Sequence, residues 1–130
     1  MYIGALKRYN PELAFDGDEK TAWVPNGSGP GEWIQVHFKT PSTISSVSVF
    51  GGDGVDFARY QTNNRVRELR MSFPNGFTRV FELEDKMQFQ RFDLPKHPLL
   101  HSIEFEIVSV YRGTKYDTTP ISEIAFNRSD

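Results

Sequence analysis

Between Ala14 and Trp23 the chain reads Ala-Phe-Asp-Gly-Asp-Glu-Lys-Thr-Ala-Trp, placing the carboxylates of Asp16, Asp18 and Glu19 close to the hydroxyl of Thr21. These are hard oxygen donors of the kind Ca²⁺ takes, about six to eight at a time, backbone carbonyls included. Gly17 allows the backbone to fold back so that oxygens on both sides converge. The stretch is not an EF-hand, which needs Gly at its sixth position and Glu at its twelfth. Counted from Asp16, those positions hold Thr21 and Gly27. Further oxygens must therefore come from elsewhere, and Glu123 in Ile121-Ser122-Glu123-Ile124 is the best donor. The competing reading is a plain turn held by Asp16 and Thr21 hydrogen bonds.

Other constellations carry less. The glycines of Gly27-Ser28-Gly29-Pro30-Gly31 suggest a phosphate cradle, but a strand follows where a helix is required. His37, His97 and His101 lack the spacing of a zinc site. Ser42 to Ser48 holds no nucleophile-elbow pattern, and no nucleophile stands with a base and an orienting group. Catalysis is not expected.

The elements that must position these residues are strands. In Trp33 to Lys39, Ile34, Val36 and Phe38 alternate with Gln35, His37 and Lys39, the pattern of a half-buried strand. Ile44, Val47 and Val49 predict a second strand, with a bulge near Ser45-Ser46. Arg65 to Phe73 and Phe77 to Leu83 flank Pro74-Asn75-Gly76, a strong hairpin signal. Gln88 to Leu94, Ile103 to Val110 and Ile121 to Phe126 complete the set. Residues 1–13 read as an entry arm, 51–64 as a long polar loop and 111–119 as a second polar, aromatic loop. No segment sustains a 3.6-residue period, so the expectation is an antiparallel β-sandwich.

The chain has 130 residues, 38% hydrophobic and 14% aromatic, which suits one domain with its own core. The net charge of −2 and the lack of a basic run argue against nucleic acid as a partner. No apolar run is long enough to span a membrane. The absence of Cys removes thiol chemistry and disulfides.

Asp16-Gly17-Asp18-x-x-Thr21-x-Trp23 early and Ile121-Ser122-Glu123-Ile124 late resemble the discoidin, or galactose-binding-like, superfamily. Gly31-Glu32-Trp33-Ile34, Asn64-Arg65-Val66 and Val110-Tyr111-x-Gly113-Thr114-Lys115-Tyr116 resemble its bacterial NADase-type glycan-binding branch. The resemblance covers about residues 12 to 127. It implies an all-β antiparallel jelly roll in which the two ends of the chain meet, bringing Glu123 to Asp16. It implies calcium as a structural ion, bound by side chains of Asp16, Thr21 and Glu123 and by carbonyls of Leu13, Asp18, Thr21 and Ser122. It also implies a non-catalytic carbohydrate-binding module. Residues 1–130 then form one such domain, part of a larger exported bacterial protein at the cell surface or outside the cell. The expected partner is a glycan or glycoconjugate. The alternative is a discoidin-type adhesion domain for a host or cell-surface protein or for phospholipid.

Discoidin-type sugar modules use an Arg and, a few residues later, an Asn before the next strand. Arg59 with Asn63 or Asn64 resembles that pair. Arg can donate to two vicinal hydroxyls, and Asn can both donate and accept. A stacking face is expected from Trp33, Tyr60 or Tyr111, with the 111–119 loop as a wall of the same pocket. Trp23 reads as core, whereas Trp33 reads equally as core or platform. Galactose-binding members carry a His after the motif Trp; Val24 stands there, so galactose itself is not implied.

Overall fold

The computed structural model describes residues 2–5, 14–18, 20–25 and 27–128, with backbone alone at 2–5. Eight strands and one short helix follow in order: β1 (Tyr2–Ala5), β2 (Trp33–Ser42), β3 (Ile44–Phe50), α1 (Phe57–Thr62), β4 (Arg65–Ser72), β5 (Thr78–Glu82), β6 (Gln90–Asp93), β7 (Leu100–Tyr111) and β8 (Glu123–Arg128). They form a five-stranded sheet in the order β1-β2-β7-β4-β5 and a three-stranded sheet in the order β6-β3-β8. All strand pairs are antiparallel. The fold is the antiparallel all-β sandwich expected from the alternating runs, in the jelly-roll form that the resemblance implies.

Period-two alternation explains why this sequence makes two layers. Ile34, Val36 and Phe38 of β2 and Ile103, Phe105 and Ile107 of β7 are buried on one face of the large sheet. Val47 and Val49 of β3 and Ile124 of β8 meet them from the small sheet. The layers are also joined along one edge. There the Phe81 and Phe92 rings stack at 4.4 Å, and Arg79 Nη1 donates to the Asp93 carbonyl at 2.6 Å. The β4–β5 hairpin turns at Pro74-Asn75-Gly76. Gly76 adopts φ 94°, a left-handed conformation that favours glycine. The register shift between Ile44 and Ser46 is the expected bulge.

Two elements differ from the sequence expectation. The first residues of the 1–13 arm form β1, which pairs with β2 from Tyr2↔His37 to Ala5↔Ile34. The 51–64 segment is not all loop, since it contains α1. Its N-cap is Asp56, whose Oδ1 accepts a hydrogen bond from the Arg59 amide at 2.8 Å. Both elements are too short to display a period.

Phe105 sits in the middle of the sandwich with 1% of its surface exposed, its ring 6.0 Å from that of Phe126. Phe105→Ala is expected to lower unfolding free energy by about 3–5 kcal/mol, measured by denaturant titration, with the β circular-dichroism signature retained.

Candidate functional site

The carboxylates near both ends of the chain do come together. Gly17, at φ 78°, turns its amide outward so that it donates to both Glu123 oxygens at 3.2 Å, across 106 residues. Asp16 Oδ1 accepts from the Asp18 amide at 2.9 Å, and Asp16 Oδ2 accepts from Thr21 Oγ1 at 2.5 Å. The Asp18 carbonyl accepts from Thr21 Oγ1 at 3.0 Å and from the Thr21 amide at 3.2 Å. The loop is held against β8 by a two-way backbone bridge, Trp23 N to Ile121 O at 2.9 Å and Ile121 N to Trp23 O at 2.8 Å. Trp23 is buried, as core.

The electrostatics follow from burial. Glu123 is 5% exposed, and that desolvation pushes its carboxyl up to about 7. The Gly17 amide opposes this shift, while the charges of Asp16 and Asp18 add to it. Asp16 is exposed and held below the usual carboxylate range, first by the Thr21 hydroxyl and then by the Asp18 amide. A cation between the two carboxylates would relieve the repulsion that raises Glu123.

The donor set fits a hard cation. It offers the Asp16 and Glu123 carboxylates, the Thr21 hydroxyl and the Asp18 carbonyl, all oxygen. Among the described residues no three of His, Cys, Asp or Glu gather to hold a metal, so neutral oxygens must supply much of the shell. Leu13 lies outside the described residues. The Ser122 side chain is turned away to the 50–52 segment: its Oγ donates to the Gly52 carbonyl at 2.7 Å, and its amide to Phe50 O at 3.0 Å and Gly52 O at 3.1 Å. Only its carbonyl is left to face the cation loop.

The second group of residues lies where three loops meet. Asn64 N donates to Thr118 O at 2.8 Å, Tyr116 N to Thr62 O at 2.8 Å and Thr114 N to Gln61 O at 3.1 Å. Asn64 Nδ2 reaches Ser28 O at 3.3 Å, Asp117 Oδ1 at 2.9 Å and Thr119 Oγ1 at 3.2 Å, and its Oδ1 accepts from the Gly113 amide at 2.7 Å. The loops that contain Ser28, Asn64 and Asp117 are thereby tied by one side chain. Asn64 is 1% exposed. With its polar atoms buried and bonded within the protein, it fixes the loops.

Tyr60 is also reassigned by burial. At 4% exposed, its ring packs beside Gly52, and its hydroxyl donates to Asp85 Oδ1 at 2.9 Å. Burial and the Asp85 carboxylate push the phenol above its ordinary range. Arg65 holds the same carboxylate through Nε at 2.9 Å and Nη2 at 2.7 Å. Its Nη1 donates to the carbonyls of Gln61, Asn63 and Arg112. Tyr111 is half-buried; its hydroxyl donates to Leu83 O at 2.8 Å and Arg67 lies over its ring. Trp33 stands on the outward face of the large sheet, opposite Glu106, five positions along β7 from Tyr111. At roughly 3.3 Å per strand residue, that is about 17 Å away, too far to share a one-sugar pocket with it.

Arg59 is different. Its Nε donates to Asp53 Oδ2 at 3.1 Å, and its side chain is 58% exposed against 6% for Asp53. Asp53 Oδ1 is in turn held by the Val55 amide at 2.9 Å. Among the described residues Nη1 and Nη2 have no partner. Asn63 is partly committed, with Nδ2 on Arg59 O at 2.9 Å and Oδ1 accepting from Thr118 Oγ1 at 2.7 Å. An open hollow of about 180 Å³ is lined by Asn64 and residues 112–117. Tyr116 is 49% exposed at its edge with Lys115 Nζ 5.2 Å from its ring, and Phe57 of α1 is 59% exposed. Sequence reasoning passed over Asp85, which the fold brings to Tyr60 and Arg65. The N-cap at Asp56 was the available signal that Arg59 and Phe57 share a helical turn.

The model for the NAD glycohydrolase translocation F5/8 type C domain matches residues 4–127. The chain belongs to this family. No curated protein matches the sequence. Solved F5/8 type C and family 32 carbohydrate-binding structures share its fold at low identity. An F5/8 type C domain from Bacteroides fragilis superimposes with TM-score 0.72 at 16% identity, covering 99% of this chain and 92% of that one. The family 32 module of C. perfringens NanJ, solved in complex with galactose, gives 0.67 at 16%, covering 96% and 90%. The family 32 module of AlyQ, in complex with 4,5-unsaturated mannuronic acid, gives 0.69 at 16%, covering 97% and 93%.

Two outcomes test this F5/8 type C geometry. Asn64→Ala leaves the Gly113 amide without its acceptor, so a loss of about 1–3 kcal/mol is expected, with faster amide exchange across residues 112–117. In chelator, Glu123 contributes a pH dependence of definite sign. Its folded carboxyl titrates near 7 against an ordinary 4.5. The folded form therefore binds more protons between those values, and stability falls as pH rises from 4.5 through 7. Melting temperatures of the parent and Glu123→Gln across this window should show that slope in the parent alone.

Proposed function

We propose that this domain is a non-catalytic glycan-binding module whose sugar site lies at the three-loop end. The observation that carries the reading is the state of Arg59. A buried carboxylate, Asp53, holds its Nε, while the side chain is 58% exposed and its Nη groups have no partner among the described residues. A guanidinium fixed in this way presents two parallel donors to a vicinal diol with little ordering left to do on binding. Tyr116 supplies the exposed ring in place of Tyr60 and Tyr111, and Asn63 a partly committed amide.

Known partners of similar folds support the class of ligand. The NanJ module is in complex with galactose, the AlyQ module with an unsaturated mannuronic acid, and a further fold relative is a pectin-binding module. Ca²⁺ held by Asp16, Thr21 and Glu123, with the Asp18 and Ser122 carbonyls, acts as a structural tie between the chain's two ends. The domain works as part of a larger bacterial protein outside the cell, where it delivers its neighbours to a glycoconjugate. The exposed Phe57 favours a second reading, docking to a protein or phospholipid surface, because a Phe 59% exposed at the start of α1 is suited to apolar contact.

A glycan array, run alongside anionic phospholipid vesicles, separates the two. Each sugar hydrogen bond gains about 1 kcal/mol net, so a single site should bind at roughly 0.1–1 mM. Arg59→Lys keeps a cation near Asp53 but loses the fork. It is expected to weaken glycan binding about 10- to 100-fold with the melting temperature nearly unchanged. Vesicle binding without any glycan response, or glycan binding indifferent to Arg59→Lys, would overturn the sugar site.

A further inference from the structure

The cation loop and Arg59 are not independent. Glu123 opens β8 directly after Ser122, which is fully buried. Ser122 reaches across to the 50–52 segment with three hydrogen bonds, Oγ to Gly52 O at 2.7 Å, N to Gly52 O at 3.1 Å and N to Phe50 O at 3.0 Å. Gly52 lies close against the Tyr60 ring of α1, where an added Cβ would come within 2.6 Å of it. The next residue is Asp53, 4% exposed, whose carboxylate fixes the Arg59 Nε. Every link from the Glu123 carboxylate to the Arg59 Nε is thus a covalent neighbour or a hydrogen bond of 2.7–3.1 Å, and Glu123, Ser122, Gly52 and Asp53 along it are buried. Packed regions transmit small displacements because they have few alternative arrangements.

We propose that Ser122 is a positioning residue that couples cation binding at Asp16 and Glu123 to the orientation of Arg59. This rests on the cation and sugar readings above and adds regulation of the sugar site by Ca²⁺. With a cation on the two carboxylates, β8 begins in a fixed place. Ser122 then holds the Gly52 carbonyl, and Asp53 presents Arg59 in one orientation. Without the cation, Glu123 is a buried acid facing Asp16 and tied to Gly17 by two long 3.2 Å bonds, and the start of β8 is less firmly placed. Coupling between two sites is reciprocal, so a ligand that orders Arg59 also tightens Ca²⁺.

The test uses Ca²⁺ alone as the probe, on the ¹⁵N-labelled domain after exhaustive chelation. The amides of Gly17 and Asp18 report the cation loop. The amides of Gly52, Asp53 and Val55 and the Nε–H of Arg59 report the far end. The expected result is that both groups shift with one common midpoint. In Ser122→Ala the Gly17 and Asp18 shifts persist while the Arg59 Nε shift falls by more than half. Should Ser122→Ala not fold, the titration of the parent decides alone. Shifts confined to the cation loop would overturn the coupling and leave the Ca²⁺ reading standing. No shift in either group, with an unchanged melting temperature, would overturn the Ca²⁺ reading and the coupling with it.

Discussion

The site depends on closure of the chain's two ends by the Trp23–Ile121 backbone bridge and the Gly17–Glu123 contact. Bringing residues 106 positions apart together sounds expensive, but loop-closure entropy grows only with the logarithm of length. Most of that ordering is supplied by the sheets, since β3–β8 pairing from Ile44↔Arg128 to Phe50↔Glu123 already fixes the late segment. The contact between Gly17 and Glu123 therefore has only local loop order left to provide. What it adds is a conflict, because it leaves a carboxylate in a desolvated position near a second one. That conflict is met within the protein only by the Gly17 amide on Glu123 and by the Thr21 hydroxyl and Asp18 amide on Asp16.

The same logic runs through the loop end, where polar groups are buried in order to hold backbone. Among the described residues no buried side-chain nitrogen or oxygen is left without a partner. Asn64 and Arg65 are the clearest cases. One bonds to Ser28, Gly113, Asp117 and Thr119, and the other spans Asp85 and three carbonyls. Long loops with such pins are preorganised, so little ordering remains to be done when a ligand arrives. The sandwich supplies the frame, and neighbouring positions of the chain, Asn63, Asn64 and Arg65, link that frame to the loops.

The sandwich was legible in the sequence because alternation is a local property. Ile34, Val36 and Phe38, or Ile103, Phe105 and Ile107, announce their face without reference to anything distant. β1 and α1 were not legible, being four and six residues long, too short to express a period. The candidate ligand residues failed or held for a third reason. Residue type indicated which side chains could bind a sugar, but burial decides which ones are available, and burial is tertiary. Tyr60 and Asn64 have suitable chemistry and spend it internally. Arg59 has similar chemistry but is bonded through Nε alone on a side chain 58% exposed, its partner being the buried Asp53, six residues earlier. The meeting of Asp16 with Glu123 was legible only through family resemblance, since no local pattern links them.

This division between buried and exposed polar residues bears on how such a domain can change its ligand. Asn64, Arg65, Asp85 and Ser122 are committed to backbone or to each other, so altering them disturbs the frame before it alters recognition. Phe57, Lys115 and Tyr116 carry little of the fold: Phe57 and Tyr116 are among the most exposed large side chains, and Lys115 has no carboxylate partner among the described residues. Substitution there changes ring, charge and shape at the edge of the hollow while the pins stay in place. Arg59 lies between the two groups, since its Nε serves the fold and its Nη atoms do not. A residue divided in this way can keep its structural bond while its outward donors adapt to different hydroxyl or carboxylate patterns. Two domains of this fold, each 16% identical to this chain, have been solved with galactose and with 4,5-unsaturated mannuronic acid. In this chain a close-packed frame carries a few uncommitted side chains at its rim, so the rim can vary while the frame stays in place.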